Sequence, residues 1–146
     1  MKKSNIQELP LRRKLGITLV ESYTRAYEQS QLFFAEYELT SQQYNVLSIL
    51  HEAGMPLSTS DILQKMLEKN AGVSRLVDRL IVKHLVEKKH NSKDKRLIDV
   101  RLTSKGEKLY QEVTSHLVGV DTIYNSLTDQ DVETLIYLLE KIKNKP

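Results

Sequence analysis

A chain of 146 residues makes one domain or two very small ones. Its 40% hydrophobic and 28% charged residues, with five glycines and three prolines, exclude a collagen, a low-complexity chain and a wholly disordered one. The formal charge is only +3, and the absence of cysteine excludes disulfides, thiolate nucleophiles, thiolate zinc sites and cysteine redox sensors. The longest apolar run, Leu135 to Leu139, is far too short to span a bilayer. The N-terminal MKKSNIQELP has no apolar stretch behind its lysines. No membrane and no secretory signal are therefore expected, and the cytoplasm is the expected location.

The first element, Leu11 to Tyr37, places apolar residues at Leu15, Leu19, Tyr23, Ala26, Tyr27 and Phe34. Steps of three and four predict an amphipathic helix, long enough to suggest a packing partner. Thr40 to Gln43 has the hydroxyl and glutamine of a capping box, so a second helix opens there and stops at Gly54 and Pro56. A third opens at Ser58, carries Ile62, Leu63, Met66 and Leu67 on one face, and ends near Lys69. A fourth starts at Asn70 as N-cap and buries Val73, Leu76, Val77, Leu80 and Ile81. Its other face shows Ser74, Arg75, Asp78 and Arg79.

The period then changes. Leu85 to His90 reads as a strand, Asn91 to Arg96 as a charged turn, and Leu97 to Leu102 alternates as a second strand. Thr103 caps a helix with apolar positions from Leu109 through Tyr110, Val113, Leu117 and Val120 to Ile123, and Gly119 inside it. Thr128 to Asp131 opens a last helix striped by Val132, Leu135, Ile136, Leu139 and Ile142. The fold class is thus mainly α with a small β-hairpin (α+β). Short helices followed by a hairpin are the order of a winged helix-turn-helix, whose second short helix enters the DNA major groove.

Charge is unevenly placed. Residues 70–106 hold ten basic and four acidic side chains, a net +6, leaving −3 for the remainder. Such concentration on one helix and its hairpin is the footprint of a polyanion site, although a solvated basic surface has the same count.

Four stretches resemble one family. Val73 to Leu80 (VSRLVDRL) resembles the recognition helix of MarR-type transcriptional regulators, and Lys83 to Val86 their entry to the wing. Asp94-Lys95-Arg96 followed by Val100 to Gly106 (VRLTSKG) resembles their wing signature, and Leu39 to Leu47 their second-helix opening. The likeness covers essentially the whole chain. It implies a homodimer in which residues 11–37 and 104–144 form the dimerisation helices of a single 1–146 unit and 38–103 form the winged DNA-binding region. It implies a repressor on a palindromic double-stranded DNA site, with half-sites about one helical turn apart. In many members small phenolic or other lipophilic effectors lodge between the two regions and relieve repression.

The resemblance also assigns roles. Arg75 falls where the family contacts DNA, and a guanidinium there reaches a guanine edge; an ion pair with Asp78 is the plain alternative. Ser74 and Asn70 suit phosphates or bases, and Asn70 serves equally as a cap alone. Arg79, one turn on, suits a phosphate. Gly72 departs from the family's polar residue and costs about 1 kcal/mol in a helix interior. Arg96 matches the arginine placed in the minor groove, Asp94 the carboxylate that holds it, and Lys93 and Lys95 backbone contacts. Ser58 and Thr59 suit a phosphate at a helix start, or capping alone.

His51, His84, His90 and His116 lack metal-ligand spacing, so no metal and no cofactor are expected. Tyr23, Tyr27 and Tyr44 suit a cleft between the two regions, or simply core and interface. The sequence carries no phosphate loop, no Gly-x-Ser-x-Gly and no histidine–carboxylate metal motif, so an enzyme is not expected. A winged helix that binds protein rather than DNA is the remaining alternative.

Overall fold

The computed structural model describes residues 6–144, so the stretch read for a secretory signal lies partly outside the described residues. After a 3-10 turn (Ile6–Glu8) and Pro10, α1 runs over Leu11–Ala35. Residues 36–38 then turn the chain, with Glu38 left-handed at φ 57°. The Leu39 N–H donates to the Phe34 carbonyl and the Glu38 N–H to that of Ala35, both at 3.0 Å. Leu39 and Phe34 are both buried, so two hydrogen bonds and an apolar contact close the helix end.

The capping box predicted for α2 (Ser41–Ala53) is formed: Gln43 N–H donates to Thr40 Oγ1 and Thr40 N–H to Gln43 Oε1, each at 3.1 Å. Gly54, at φ 62°, ends the helix. A two-residue strand, β1 (Leu57–Ser58), leads into α3 (Thr59–Lys65). Ser58 caps α3 through the Asp61 N–H. The helix stops four residues before the expected Lys69. Side chains of α2 draw the chain away: Asn45 Oδ1 takes the Leu67 N–H at 3.1 Å, and Gln42 Nε2 donates to Glu68 at 2.6 Å. Met66 is buried, whereas Leu67, expected on the same apolar face, is 87% exposed.

Helix α4 spans Val73–Val82. Asn70 is therefore not its cap; it lies in the preceding loop, and Gly72 occupies the N-cap position at φ −77°. The interior-glycine penalty does not arise, because glycine is tolerated at that position. The C-terminal end turns through His84, left-handed at φ 59°, with His84 N–H on the Ile81 carbonyl (2.9 Å) and Leu85 N–H on that of Leu80 (3.0 Å).

Strands β2 (Val86–His90) and β3 (Ile98–Leu102) form the expected antiparallel hairpin, with Val86 opposite Leu102 and His90 opposite Ile98. The sheet has a third strand that the pattern did not suggest. β1 pairs with β3, Leu57 opposite Val100, so the order is β1-β3-β2. Helix α5 (Ser104–Ser115) does not continue to Ile123 as expected. The Glu112 carbonyl is taken by Ser115 Oγ (2.6 Å) and lies 2.9 Å from the His116 ring nitrogen, and the helix stops. A short α6 (Val118–Asp121) and a 3-10 turn (Thr122–Tyr124) follow. The break lets Gly119 approach α1: a Cβ there would stand 3.3 Å from the Phe33 ring. Helix α7 (Asp129–Lys143) opens on a complete Thr128–Asp131 capping box.

Val46, Leu47, Ile62, Met66, Val77, Leu80, Leu85, Val86, Val100 and Val113 form the dry centre, drawn from α2 through α5. Phe34 of α1 and Tyr110 of α5 join it. By contrast, α7 buries none of its residues, and Leu11, Val20 and Val118 lie open to solvent. No described helix is long and apolar enough to cross a membrane.

One close contact fixes the wing on this core. The Thr103 N–H donates to the Leu85 carbonyl at 3.1 Å, and the Thr103 hydroxyl donates to the His84 carbonyl at 2.6 Å while accepting the Gly106 N–H at 3.0 Å. A Cβ on Gly106 would stand 2.0 Å from the Leu85 carbonyl oxygen. That neighbour is backbone and cannot rotate aside. Gly106→Ala should therefore cost about 2 kcal/mol or more, read as a lowered urea midpoint, whereas Gly72→Ala, with nothing within 4 Å, should cost only the loss of a favourable N-cap residue, about 1 kcal/mol or less.

Candidate nucleic-acid interface

The amphipathic pattern of α4 puts Val73, Leu76, Val77 and Leu80 into the core and leaves Ser74, Arg75, Asp78 and Arg79 on its outer face. Ser74 and Arg75 stand in the first turn and Arg79 one turn later. The Arg75–Asp78 pair considered from the sequence is not formed. The Asp78 carboxylate instead accepts from Lys88 Nζ of β2 at 3.0 Å. Among the described residues neither Arg75 nor Arg79 has an ion-pair partner, so both guanidiniums are available to an external anion. Asn70 is exposed in the loop before α4.

The Lys88–Asp78 pair joins the wing to the outer face of α4. Both groups are solvated, so its contribution to stability is small; what it supplies is orientation. A second pair, Arg101 with Glu87, lies across the β2–β3 register and ties the hairpin to itself. Sequence reading missed both pairs. Glu87 and Arg101 become neighbours only when the hairpin register is known, and Lys88 meets Asp78 only across a change from helix to strand.

At the wing tip, Asp94 receives three N–H groups of Arg96: the backbone N–H and Nε–H on Oδ1, and Nη2 on Oδ2, each at 3.0 Å. The arginine is 90% exposed, so the carboxylate is its anchor. These bonds hold the Asp94 carboxyl below the usual carboxylate range, the guanidinium contact being the larger cause, and they keep Arg96 firmly protonated. Lys93 and Lys95 lie exposed on the same turn. The predicted Asp94–Arg96 pairing is thus present, and the turn carries three cations around one bound carboxylate.

Tyr44 is packed between Phe34 (4.8 Å between ring centroids) and Tyr110 (5.7 Å), and its hydroxyl lies 2.8 Å from Thr114 Oγ1. Tyr23 and Tyr27 stack on each other along α1. Ser58 is engaged as a helix cap.

The MarR family model matches residues 39–98. The chain is 32% identical over 105 residues to the transcriptional repressor MdtR of Bacillus subtilis, covering 71% of this chain and 67% of MdtR. It is 33% identical over 114 residues to the multiple antibiotic resistance protein MarR of Escherichia coli, covering 75% and 77%. A solved structure of a cysteine-to-serine mutant of that E. coli protein, complexed with operator DNA, superposes with a TM-score of 0.78 at 24% identity, covering 88% of this chain and 92% of the other.

The carboxylate range gives a direct check. Because Asp94 is held below its ordinary 3.8, the clasp is fully formed at neutral pH and opens only as pH falls through the depressed value. In a carbon-detected NMR titration the Asp94 midpoint should lie below 3.8 and rise toward it in Arg96→Ala.

Proposed function

The chain belongs to the MarR family of DNA-binding transcriptional regulators, not enzymes, and from that premise we propose that it is a cytoplasmic repressor that binds a palindromic site as a homodimer. The observation that carries the reading is the pairing of two cationic elements on one side of the core: α4 with Arg75 and Arg79, and the wing with Arg96, braced by Lys88 and Asp78. In this reading Ser74 and Arg75 meet base edges in the major groove, and Asn70 and Arg79 meet phosphates. Arg96, oriented by Asp94, enters the adjacent minor groove, while Lys93 and Lys95 lie on the backbone. MdtR is itself a repressor, which supports that sign of action here.

The exposed apolar residues of α1, α6 and α7 support the dimer: Leu11, Leu15, Val20, Val118, Leu135, Ile136 and Ile142 are all left largely open to solvent by their own chain. Residues 11–37 and 104–144 then form the frame, and 38–103 the reading head. A small phenolic or lipophilic effector completes the reading. A cleft of about 400 Å³ between the end of α1, the α4–β2 corner and α5 offers Tyr37, Leu85 and Leu109 as apolar lining among the charged Glu38, Lys83, Lys105, Lys108 and Glu112.

Selection from a random duplex pool should return a palindrome with half-site centres about 10 base pairs apart. Arg75→Ala and Arg96→Ala should each weaken binding to that duplex about tenfold or more without lowering the melting temperature. Light scattering at micromolar protein should give twice the chain mass; a monomer, or a pool with no enriched sequence, would overturn the reading.

A further inference from the structure

The wing turn is organised by a residue that carries no charge. Asn91, half-buried at the end of β2, uses both ends of its amide. Its Oδ1 accepts the Lys93 N–H at 2.9 Å and the Asp94 N–H at 3.0 Å, and its Nδ2 donates to Asp99 Oδ2 of β3 at 2.9 Å. The backbone closes the same turn: Asn91 N–H donates to the Leu97 carbonyl (2.9 Å) and Leu97 N–H to that of Asp94 (3.0 Å). Asp94, fixed in this way, takes the three N–H groups of Arg96. On the other flank the His90 ring nitrogen lies 3.0 Å from the Lys95 carbonyl.

The bonds form a line of dependence from Asp99 through Asn91 and Asp94 to Arg96. Since the Arg96 side chain stands almost wholly in solvent, its direction is set through that line. We infer that Asn91 is a positioning residue of the DNA interface, which presets the wing arginine before DNA arrives; this rests on the DNA-binding reading of the wing. The position needs an acceptor for two N–H groups and a donor for Asp99 together. Alanine supplies neither. Aspartate supplies only the acceptor and sets a second carboxylate against Asp99.

The test measures affinity by fluorescence anisotropy for the duplex recovered by selection. Asn91→Ala, which leaves the charge unchanged, should weaken binding to within about threefold of the loss in Arg96→Ala, and the double variant should be no more than about twofold weaker than Arg96→Ala alone. Asn91→Asp should also weaken binding, and adding Asp99→Asn should restore it, because the donor and acceptor then change sides. In parallel, the Arg96 Nε–H resonance, held by Asp94 in free protein, should exchange faster with solvent in Asn91→Ala.

Asn91→Ala with unchanged affinity overturns the proposal. So do losses that simply add to those of Arg96→Ala, which would assign Asn91 to folding alone. If Arg96→Ala itself binds normally, the DNA role of the wing fails instead, and the positioning link is judged on the Nε–H signal: unchanged protection in Asn91→Ala overturns it.

Discussion

The carbonyl of Leu85 is the point on which the placement of α4 and the wing depends. The chain leaves α4 through the left-handed corner at His84 and enters the wing at that peptide. It returns from β3 to the same place, where Thr103 donates to Leu85 and Gly106 packs against it without room for a methyl group. Helix α4, the wing and α5 therefore meet at one backbone contact. The family's Leu-Thr-x-x-Gly string, Leu102 to Gly106 here, has a physical reading. Threonine caps α5 and bonds the corner, and glycine allows the approach. Rigid backbone contacts of this kind transmit displacement, because neither side has a rotamer to absorb it.

From that crossing α4 and the wing run outward side by side. The Lys88–Asp78 bridge spans them further out, and the Asn91 and Asp94 bonds fold the tip. None of these polar pairs is buried deeply enough to add much stability. Their effect is on arrangement: cations held at defined places before an anionic partner is met lose less freedom on binding. The mild net charge of the chain conceals this, since six excess positive charges in residues 70–106 are offset by a slightly acidic remainder.

Much of this was legible in the sequence because the signals were local. Thr40, Ser58, Thr103 and Thr128 each cap the helix that their local pattern predicts, and period-two alternation marks β3. What was not legible depends on distant partners. β1 is two residues long and exists through Val100, more than forty positions away. α3 ends early because Asn45 and Gln42 of α2 capture its continuation. Helix α5 breaks where the Glu112 carbonyl is claimed by Ser115 and where Gly119 must meet Phe33. At the site, Arg96 and Asp94 are named by the resemblance of Asp94-Lys95-Arg96 to the family's wing signature. Asn91 gave no signal, since a neutral asparagine in a turn is ordinary until its two hydrogen-bonding ends are seen to be used at once.

The last helix has a consequence for dosage. Helix α7 is well capped, yet none of its residues is fully buried within its own chain, Val132 and Leu139 being only half-buried. In the proposed homodimer α7 takes its apolar cover from the second copy and is stabilised by mass action, so its order would follow protein concentration. The DNA-competent species then rises with roughly the square of chain number while monomers predominate. Modest dilution of such a protein at cell division, or a brief pause in its synthesis, would release its target more sharply than the change in copy number alone.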